Sequence, residues 1–471
     1  MDINPVLSLH RPTSVPDRDL CRSALARDSV CQSMNISPVP TLSRASSLLQ
    51  KMHLNSMICM FFGKSEPARS CGKSRWVHKC LRTLLALGLS MLLPTLAQAR
   101  TCEVTTWPLW QTFDKHFIQP DGRVLDASTP QQNSSSEGLS YSMFFALVAN
   151  DRASFDQLWH WAQNNLAAGD INKHLPAWLW GMDEQGAWRV LDDNSASDAD
   201  LWFAYALLEA GRLWENDEYT QAARILLRNV ETQEVVDLPG LGKMLLPGFR
   251  GFAKPDQWML NPSYLPIPLL RRFAEFDRSG PWAEIAANTA TLIKAVSYKG
   301  FVADWVGYRA TGPDKGEFIV EPIKGEQGSY DAIRVYLWAG ITPGKDPLAR
   351  PILKSLRGMQ RAIEANGVPP EKVQVTTGQL SGTGPWGFSA ALLPYLDALD
   401  ENSERDRQAK RVQTSMAQSL TADALKAAQP PYYHFVLGLF SLGYMDQRYQ
   451  FRDDGKLQTF WEKTCSRTAR P

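Results

Sequence analysis

Three carboxylates lie in short segments whose composition is unusual for ordinary packing: Glu137, Asp198 and Asp331. Each stands among small or hydroxyl residues, with an aromatic residue within a few positions. A carboxyl group can donate a proton or act as a base, and two of them held apart can do both at once. Such a pair in a groove lined with aromatic rings is typical of glycosidic-bond hydrolysis.

Glu137 follows three consecutive serines, residues 134–136, at a predicted helix start. Side chains of both types commonly cap a first helical turn, so capping is one interpretation. The helix dipole would lower the pKa of a carboxyl there, which opposes proton donation at neutral pH. A proton-donating Glu137 would therefore need burial or nearby negative charge, which Asp198 and Asp200 would supply if the fold brought them close.

Asp198 and Asp200 also begin a predicted helix, after Ser195 and Ser197. Two acids in one turn with no basic neighbour are mildly unfavourable. Capping by both side chains is one interpretation. The alternative is that a proton or a sugar hydroxyl is shared there, which would relieve the repulsion.

Asp331 stands three residues before Arg334, at the spacing of one helical turn. An ion pair between them is the simplest interpretation, and it would keep Asp331 ionised. An ionised aspartate is also what a water-activating base requires.

Tryptophan is concentrated in the same part of the chain, since 15 of the 16 follow residue 99. Indole rings suit the apolar face of a pyranose and leave an N–H for a hydroxyl group. Trp178, Trp180 and Trp258 lie in predicted loops or at helix ends, where they could line a groove. Core packing is the alternative.

An export signal is predicted over residues 73–99. Basic residues are followed by an apolar run at 84–93, then Pro94 and the small-residue pattern Ala97-Gln98-Ala99. This pattern indicates a signal peptide cleaved near Ala99 and a periplasmic or secreted protein, without stable membrane insertion after cleavage. An uncleaved anchor is the alternative.

The predicted signal peptide also defines the regions before and after it. Residues 1–72 are predicted to be a non-native or disordered extension: either the start site is placed too far upstream, or the protein has a disordered leader. Residues 100–471 are predicted to be a catalytic domain. Up to residue 99 the chain has 12 basic and 5 acidic residues. The remaining residues include 38 basic and 44 acidic ones, so the chain after residue 99 has a formal charge of −6. That balance argues against nucleic acid as a partner.

Two cysteines, Cys102 and Cys465, remain after the predicted cleavage site. In an oxidising compartment they would form a disulfide joining the two ends of the mature chain, with two free thiols as the alternative. Neither they nor the remaining histidines show the spacing of a metal site, so no metal or cofactor is predicted.

The elements that must position these residues are predicted to be mostly helices. Apolar residues recur at three- and four-residue intervals in ten stretches, with Gly and Pro in the gaps. A short hairpin is predicted near Val373–Val375, and neither a sandwich nor a parallel sheet is indicated. The pattern predicts a large all-α domain, but it does not distinguish a barrel from a solenoid. The stretches are Tyr141–Val148, Phe155–Leu166, Leu201–Trp214, Tyr219–Val230, Tyr264–Phe276, Trp282–Val296, Ala332–Trp338, Ile352–Ile363, Phe388–Leu399 and Tyr432–Leu442.

Four segments of this sequence together resemble glycoside hydrolase family 8: Ser136-Glu137-Gly138, Ala196-Ser197-Asp198-Ala199-Asp200-Leu201-Trp202, Asn261-Pro262-Ser263-Tyr264-Leu265-Pro266 and Ser329-Tyr330-Asp331-Ala332-Ile333-Arg334. The resemblance covers nearly the whole chain after residue 99 and is strongest to the group that accompanies bacterial cellulose synthases. It implies an (α/α)6 barrel of about twelve helices that hydrolyses β-1,4-linked glucan with inversion. A cellulose synthase or export machinery is the implied partner besides the glucan chain.

The resemblance also implies roles for individual residues. Glu137 would be the general acid and Asp331 the general base. Asp198 would hold the distorted sugar at the cleavage point; the label of nucleophile does not suit an inverting reaction, which uses water directly. The residues implied or predicted to contact substrate are Tyr330, Arg334, Tyr264, Trp178, Trp180, Trp258 and Asp200.

Two groups of alternatives remain open from the sequence. Within the family, the substrate could be xylan, chitosan or mixed-linkage glucan instead of cellulose. From another class, the chain could be a non-catalytic polysaccharide-binding partner of an exporter, or a purely structural secreted protein. The presence of all three carboxylates argues against a non-catalytic role.

Overall fold

Helices dominate the computed structural model, which describes residues 106–467, with side chains to residue 463. The predicted extension and signal peptide lie outside the described residues. The predicted disulfide does too, because Cys102 and the side chain of Cys465 are not described.

Six positions on the inside of the fold are occupied by helices that are buried on nearly all sides. Every residue of the first and the fourth of these is buried. Apart from Glu137 and Arg334, the sequences of these two helices are uncharged and mostly apolar or small around the whole helix, as a helix enclosed by others requires. They are α2 Ser136–Ala149, α4 Ser197–Leu213, α6 Ile267–Phe276, α8 Ala332–Ile341, α11 Trp386–Ala391 continued by α12 Leu393–Ala398, and α15 Tyr432–Met445.

Six outer positions surround them, and each outer helix packs on an inner one. The outer helices bury one stripe and expose the rest. Two shorter helices, α14 Ala422–Ala427 and α16 Phe460–Arg467, complete the set. No helix between residues 106 and 467 has the length and apolarity needed to cross a membrane. The outer helices are α1 Pro108–Phe117, α3 Arg152–Asn165, α5 Asp217–Gln233, α7 Trp282–Val296, α9 Ala349–Ser355 with α10 Arg357–Asn366, and α13 Asn402–Ser419.

The inner helices form a closed ring. Helix α2 contacts α4, α4 contacts α6, and α8 contacts both α11 and α12. The 3-10 turn Pro262–Tyr264 bridges α4 and α8, and α15 closes the ring by contacting α11, α12 and α2. The prediction of an all-α (α/α)6 barrel is confirmed.

The strands are short and all their pairings are antiparallel. Three of them lead directly into functional segments: β1 into α2, β7 into the turn at 262–264, and β10 into residues 329–331. The hairpin predicted near residue 373 is present as β11 and β12. The strands are β1 Ser134–Ser135, β2 Leu179–Met182, β3 Trp188–Asp192, β4 Val235–Leu238, β5 Gly242–Leu245, β6 Ala253–Lys254, β7 Gln257–Leu260, β8 Val306–Gly312, β9 Lys315–Val320, β10 Gln327–Gly328, β11 Lys372–Gln374, β12 Gln379–Ser381, β13 Tyr449–Phe451 and β14 Leu457–Thr459.

Candidate active site

Glu137 is the second residue of α2 and is buried, with 3% of its surface exposed. The cap of this helix is Ser135, whose hydroxyl accepts a hydrogen bond from the Gly138 N–H at 3.2 Å. The Glu137 carboxyl instead accepts from the indole N–H of Trp178 at 3.1 Å. The serine caps the helix, so the glutamate is available for another function.

Asp198 is the second residue of α4 and is held by groups from three helices. Its Oδ1 accepts from the Ala199 N–H at 2.9 Å, and its Oδ2 accepts from the Tyr141 hydroxyl at 3.1 Å. Arg334 Nη2 lies 3.7 Å from the same Oδ2. Tyr141 stands four residues after Glu137 on α2, so this contact joins the two carboxylate-bearing helices.

Asp331 stands directly before α8, and Arg334 lies in the first turn of that helix. The predicted ion pair is present, with Arg334 Nη2 at 3.2 Å from Asp331 Oδ1. One buried guanidinium therefore lies between Asp198 and Asp331. The Arg334 side chain also donates to Ser263 Oγ at 3.0 Å and to the Tyr433 hydroxyl at 3.3 Å.

The pKa values of these carboxyl groups differ because their surroundings differ. Burial, with the charge of Asp198 adding to it, raises the pKa of Glu137 to about 8. Burial raises the pKa of Asp198 to about 6, against the opposing effects of Arg334 and the Tyr141 hydroxyl. Burial also raises the pKa of Asp331, and Arg334 reduces that rise without cancelling it. With a pKa of about 8, Glu137 retains a proton at neutral pH.

Two more of the predicted groove residues adjoin this cluster. The ring of Tyr264 lies 5.8 Å from the guanidinium carbon of Arg334. The main-chain oxygen of Tyr330 accepts from the Tyr433 hydroxyl at 2.7 Å, and the Tyr330 ring packs against Phe388. The structure thus brings together Glu137, Asp198, Asp331, Arg334, Trp178, Tyr264 and Tyr330.

Trp180 and Trp258 pack in separate places. Trp180 stacks on the exposed Trp188, with ring centroids 5.2 Å apart, in the β2–β3 hairpin that follows Trp178. Trp258 lies in β7 and packs against Tyr308 of the neighbouring strand. Both rings are partly exposed.

Asp200 has no exposed surface, and its carboxyl contacts that of Glu234. A direct contact between Asp200 and a substrate would require this pair to open. The sequence carries no signal for Glu234, which lies in an unremarkable segment 34 positions further along the chain.

Other residues of the site were also missed from the sequence. Asp304 accepts hydrogen bonds from the N–H groups of Ser329 and Ala332, both at 2.7 Å, and so fixes the backbone on either side of Asp331. Tyr433 contacts Arg334 from α15. Tyr141 alone had a usable signal, since its spacing from Glu137 places both on one face of a helix.

A metal site is not formed by the side chains described here: no group of three His, Cys, Asp or Glu residues among them could hold an ion. Two of the buried carboxylates, Asp198 and Asp331, are instead paired with Arg334. The arrangement offers a protonated carboxyl, a carboxylate paired with an arginine, and a second aspartate between them.

Comparisons with known proteins agree with this geometry. The family model of glycosyl hydrolases family 8 matches residues 85–447. An endoglucanase of Pseudomonas fluorescens (strain SBW25) is 48% identical over 398 residues, covering 83% of this chain and 99% of the relative. An endoglucanase of Xanthomonas axonopodis pv. citri (strain 306) is 47% identical over 383 residues, covering 81% and 96%. The crystal structure of an endo-1,4-D-glucanase from Vibrio fischeri ES114 has a TM-score of 0.70 and 40% identity, covering 76% of this chain and 100% of that one.

Proposed function

This chain belongs to glycosyl hydrolases family 8, and we propose that it is an endo-1,4-β-glucanase that hydrolyses internal bonds of cellulose with inversion at the anomeric carbon. The similarity to endoglucanases over most of the chain supports the activity. The observation that carries the proposal is that Glu137, whose pKa is raised to about 8, and Asp331, which is ion-paired with Arg334, lie at the starts of inner helices three positions apart in the ring of six.

In the proposed reaction Glu137 acts as the general acid. It donates its proton to the leaving oxygen as the glycosidic bond breaks, which its raised pKa of about 8 permits at neutral pH. The indole N–H of Trp178 holds the carboxyl in place and stabilises the carboxylate that remains.

Asp331 is the proposed general base. It takes a proton from the attacking water, which adds to the anomeric carbon from the opposite face of the sugar. An inverting pair needs its carboxyl groups roughly 6.5–9.5 Å apart to admit that water. Arg334 supports the ionised form of Asp331 and prevents free rotation of its side chain.

Asp198 is proposed to hold the distorted sugar ring at the point of cleavage. Its carboxylate is fixed by Tyr141 and Arg334, so it would present a directed acceptor to a sugar hydroxyl. We propose that Tyr264, Tyr330 and Arg334 contact the sugar near the cleavage point. Trp178, Trp180 and Trp258 would line the groove beyond it.

The acid role of Glu137 is tested by Glu137→Gln, which keeps the side-chain shape but removes the proton donor. We expect turnover of soluble carboxymethyl-cellulose to fall by about 100- to 10,000-fold, because general acid catalysis typically contributes that much. Cellopentaose binding, measured by calorimetry, should persist. Glu218→Gln on the exposed side of α5 is the matched control. Near-normal hydrolysis by Glu137→Gln would refute the assignment.

The substrate and stereochemistry have their own tests. Parallel assays on carboxymethyl-cellulose, xylan, chitosan and mixed-linkage glucan separate the alternatives, and we expect the highest specific activity on the cellulose derivative. NMR of the first product should show the inverted anomer. A retained anomer would contradict the role of Asp331 as a base.

We also propose export and a link to cellulose synthesis, on the basis of the predicted signal peptide and the resemblance described above. Mass spectrometry of the exported protein should find a chain beginning near Arg100. Thiol titration without reductant should detect no free Cys102 or Cys465 if they form the predicted disulfide.

A further inference from the structure

We propose that Asp200 and Glu234 share a proton and that this buried carboxyl pair positions the helix turn carrying Asp198. Neither residue has any exposed surface, and their carboxyl groups are in contact. They are positioning residues, since they act through Asp198 and not on the substrate. The link to catalysis rests on the proposed function, whereas the shared proton does not.

Among the residues that the structure describes, no basic side chain forms an ion pair with either carboxyl group. Both oxygens of Asp200 and Oε2 of Glu234 have no other hydrogen-bond partner among the described residues. The charges with the largest effect on Asp200 are acidic: Glu234, which follows α5, Asp198 on its own helix, and Glu137 from α2. Two ionised carboxylates in contact in a fully buried site repel strongly, so at least one must be protonated.

The positions of the remaining contacts suggest where the proton lies. Glu234 Oε1 already accepts a hydrogen bond from the Ser195 hydroxyl, which leaves Oε2 free to accept another. Burial raises the pKa of Asp200 well above its ordinary range, and the charge of Glu234 adds to that rise. Burial also raises the pKa of Glu234, but hydrogen bonds from Ser195 and from Asp200 oppose that rise. Asp200 is therefore the donor and Glu234 the acceptor.

The pair joins three segments of chain around Asp198. Glu234 directly follows α5 and accepts a hydrogen bond at its main-chain oxygen from the Leu246 N–H. The Ser195 hydroxyl, while donating to Glu234, accepts from the Phe249 N–H at 3.1 Å. Asp200 lies in the same helical turn as Asp198. Opening the pair would remove one of the links between that turn and residues 246–249, leaving the hydrogen bond from the Ser197 N–H to the Pro247 oxygen, and would loosen the contacts of Asp198 with Tyr141 and Arg334.

The shared proton predicts a specific pH dependence of stability. Because folding raises the pKa of the proton-bearing Asp200 well above its ordinary value of 3.8, the pair's contribution to stability is present below about pH 3.8 and is lost as the pH rises towards the higher value of the folded state. The test uses Glu137→Gln as the parent, which removes the titration of Glu137. We compare this parent with a variant that also carries Asp200→Asn and Glu234→Gln. The two amides keep a hydrogen bond but cannot ionise. As the pH rises, the melting temperature should fall in both proteins. The fall should be a few degrees smaller in the double variant than in the parent.

Equal pH dependence in the parent and the double variant would overturn the proposal. If the double variant does not fold, infrared spectroscopy of the parent at neutral pH gives a second test. A protonated carboxyl band should be present and should weaken in Asp200→Asn. Its absence from the parent would also overturn the proposal.

The positioning role has a separate readout in the otherwise unmodified enzyme. Asp200→Asn retains a donor for Glu234, whereas Asp200→Ala does not. We expect kcat on carboxymethyl-cellulose to fall at least tenfold further in the alanine variant than in the asparagine variant. Equal losses in both would contradict positioning through the pair. If the enzyme shows no glucanase activity at all, the proposed function fails, but the stability test still decides the shared proton.

Discussion

At the scale of single residues, the site depends on a carboxyl group that stays protonated although it lies at a helix N-terminus. The dipole there favours the anion, and the sequence alone therefore argued against a proton donor at Glu137. Burial and the neighbouring Asp198 outweigh the dipole. The need for both influences could be stated from the sequence, but their presence depended on the fold.

The pH dependence of activity follows from that balance. Glu137 must be protonated, so kcat/KM should fall as the pH rises through about 8. Asp331 must be ionised, so the rate should also fall on the acid side.

Trp178→Phe removes the N–H that stabilises the Glu137 carboxylate, and it should move the alkaline limb of the pH–rate profile to higher pH. Initial rates across the pH range measure both limbs; an alkaline limb that does not move in this variant would contradict the contact.

Arg334 compensates two buried carboxylates at once, so its loss should be costly. Arg334→Met leaves Asp198 and Asp331 without their common cation, and we expect the free energy of unfolding to fall by about 3–5 kcal/mol at neutral pH. Urea unfolding measures this. Arg309→Met removes an exposed arginine paired with Glu317 and should change stability by about 1 kcal/mol or less. Similar losses in both variants would show that the buried network is not what Arg334 stabilises.

At the scale of elements, the site is assembled from the N-terminal ends of the inner helices. Inner and outer helices alternate along the chain, so the inner ones all run in the same direction and start at one end of the barrel. Glu137, Asp198 and Asp331 each lie at such a start, and Tyr264 and Tyr433 lie at two others. The strands β1, β7 and β10 deliver the chain to three of these starts.

Close approach between inner helices is required for the ring, and Gly340 of α8 provides it. A Cβ there would lie 2.8 Å from the Pro394 carbonyl oxygen and still closer to the Tyr395 nitrogen of α12. We expect Gly340→Ala to reduce the free energy of unfolding by about 1–3 kcal/mol, because backbone must move to admit the methyl group. Gly344→Ala, where a Cβ meets no atom within 4 Å, is the matched control. Chemical denaturation compares them, and equal stability would contradict this packing.

The ten helical stretches predicted from periodicity are all present, with differences at their ends. Residues 352–363 and 388–399 are each divided between two helices, and the stretch from Tyr264 begins as a 3-10 turn. Helix α13 was missed because its sequence is largely polar and only Gln408 and Val412 are buried. A helix that buries so little leaves no apolar period to detect.

At the scale of the whole molecule, ring closure is what makes one site from distant segments. The apolar periods alone did not separate a barrel from a solenoid, and the family resemblance supplied the distinction. In the structure α15 contacts α2, so the last inner helix brings Tyr433 to the cluster begun by Glu137. Asp304 and Glu234 could not be identified beforehand, because their partners are set by this closure and not by any local pattern.

The closed core also makes stability and catalysis oppose each other at Glu137. Folding raises its pKa from 4.5 to about 8, so the native state binds a proton that the unfolded chain has released. Its contribution to stability is therefore complete below pH 4.5 and is lost as the pH rises towards 8. Glu137→Gln cannot ionise, so near pH 8 it should exceed the wild type in unfolding free energy, by on the order of 4 kcal/mol. Near pH 4.5 the two should be similar. Urea unfolding at both pH values measures the difference, with Glu218→Gln as control; an equal gain at both would mean that packing, and not ionisation, sets the stability of the variant.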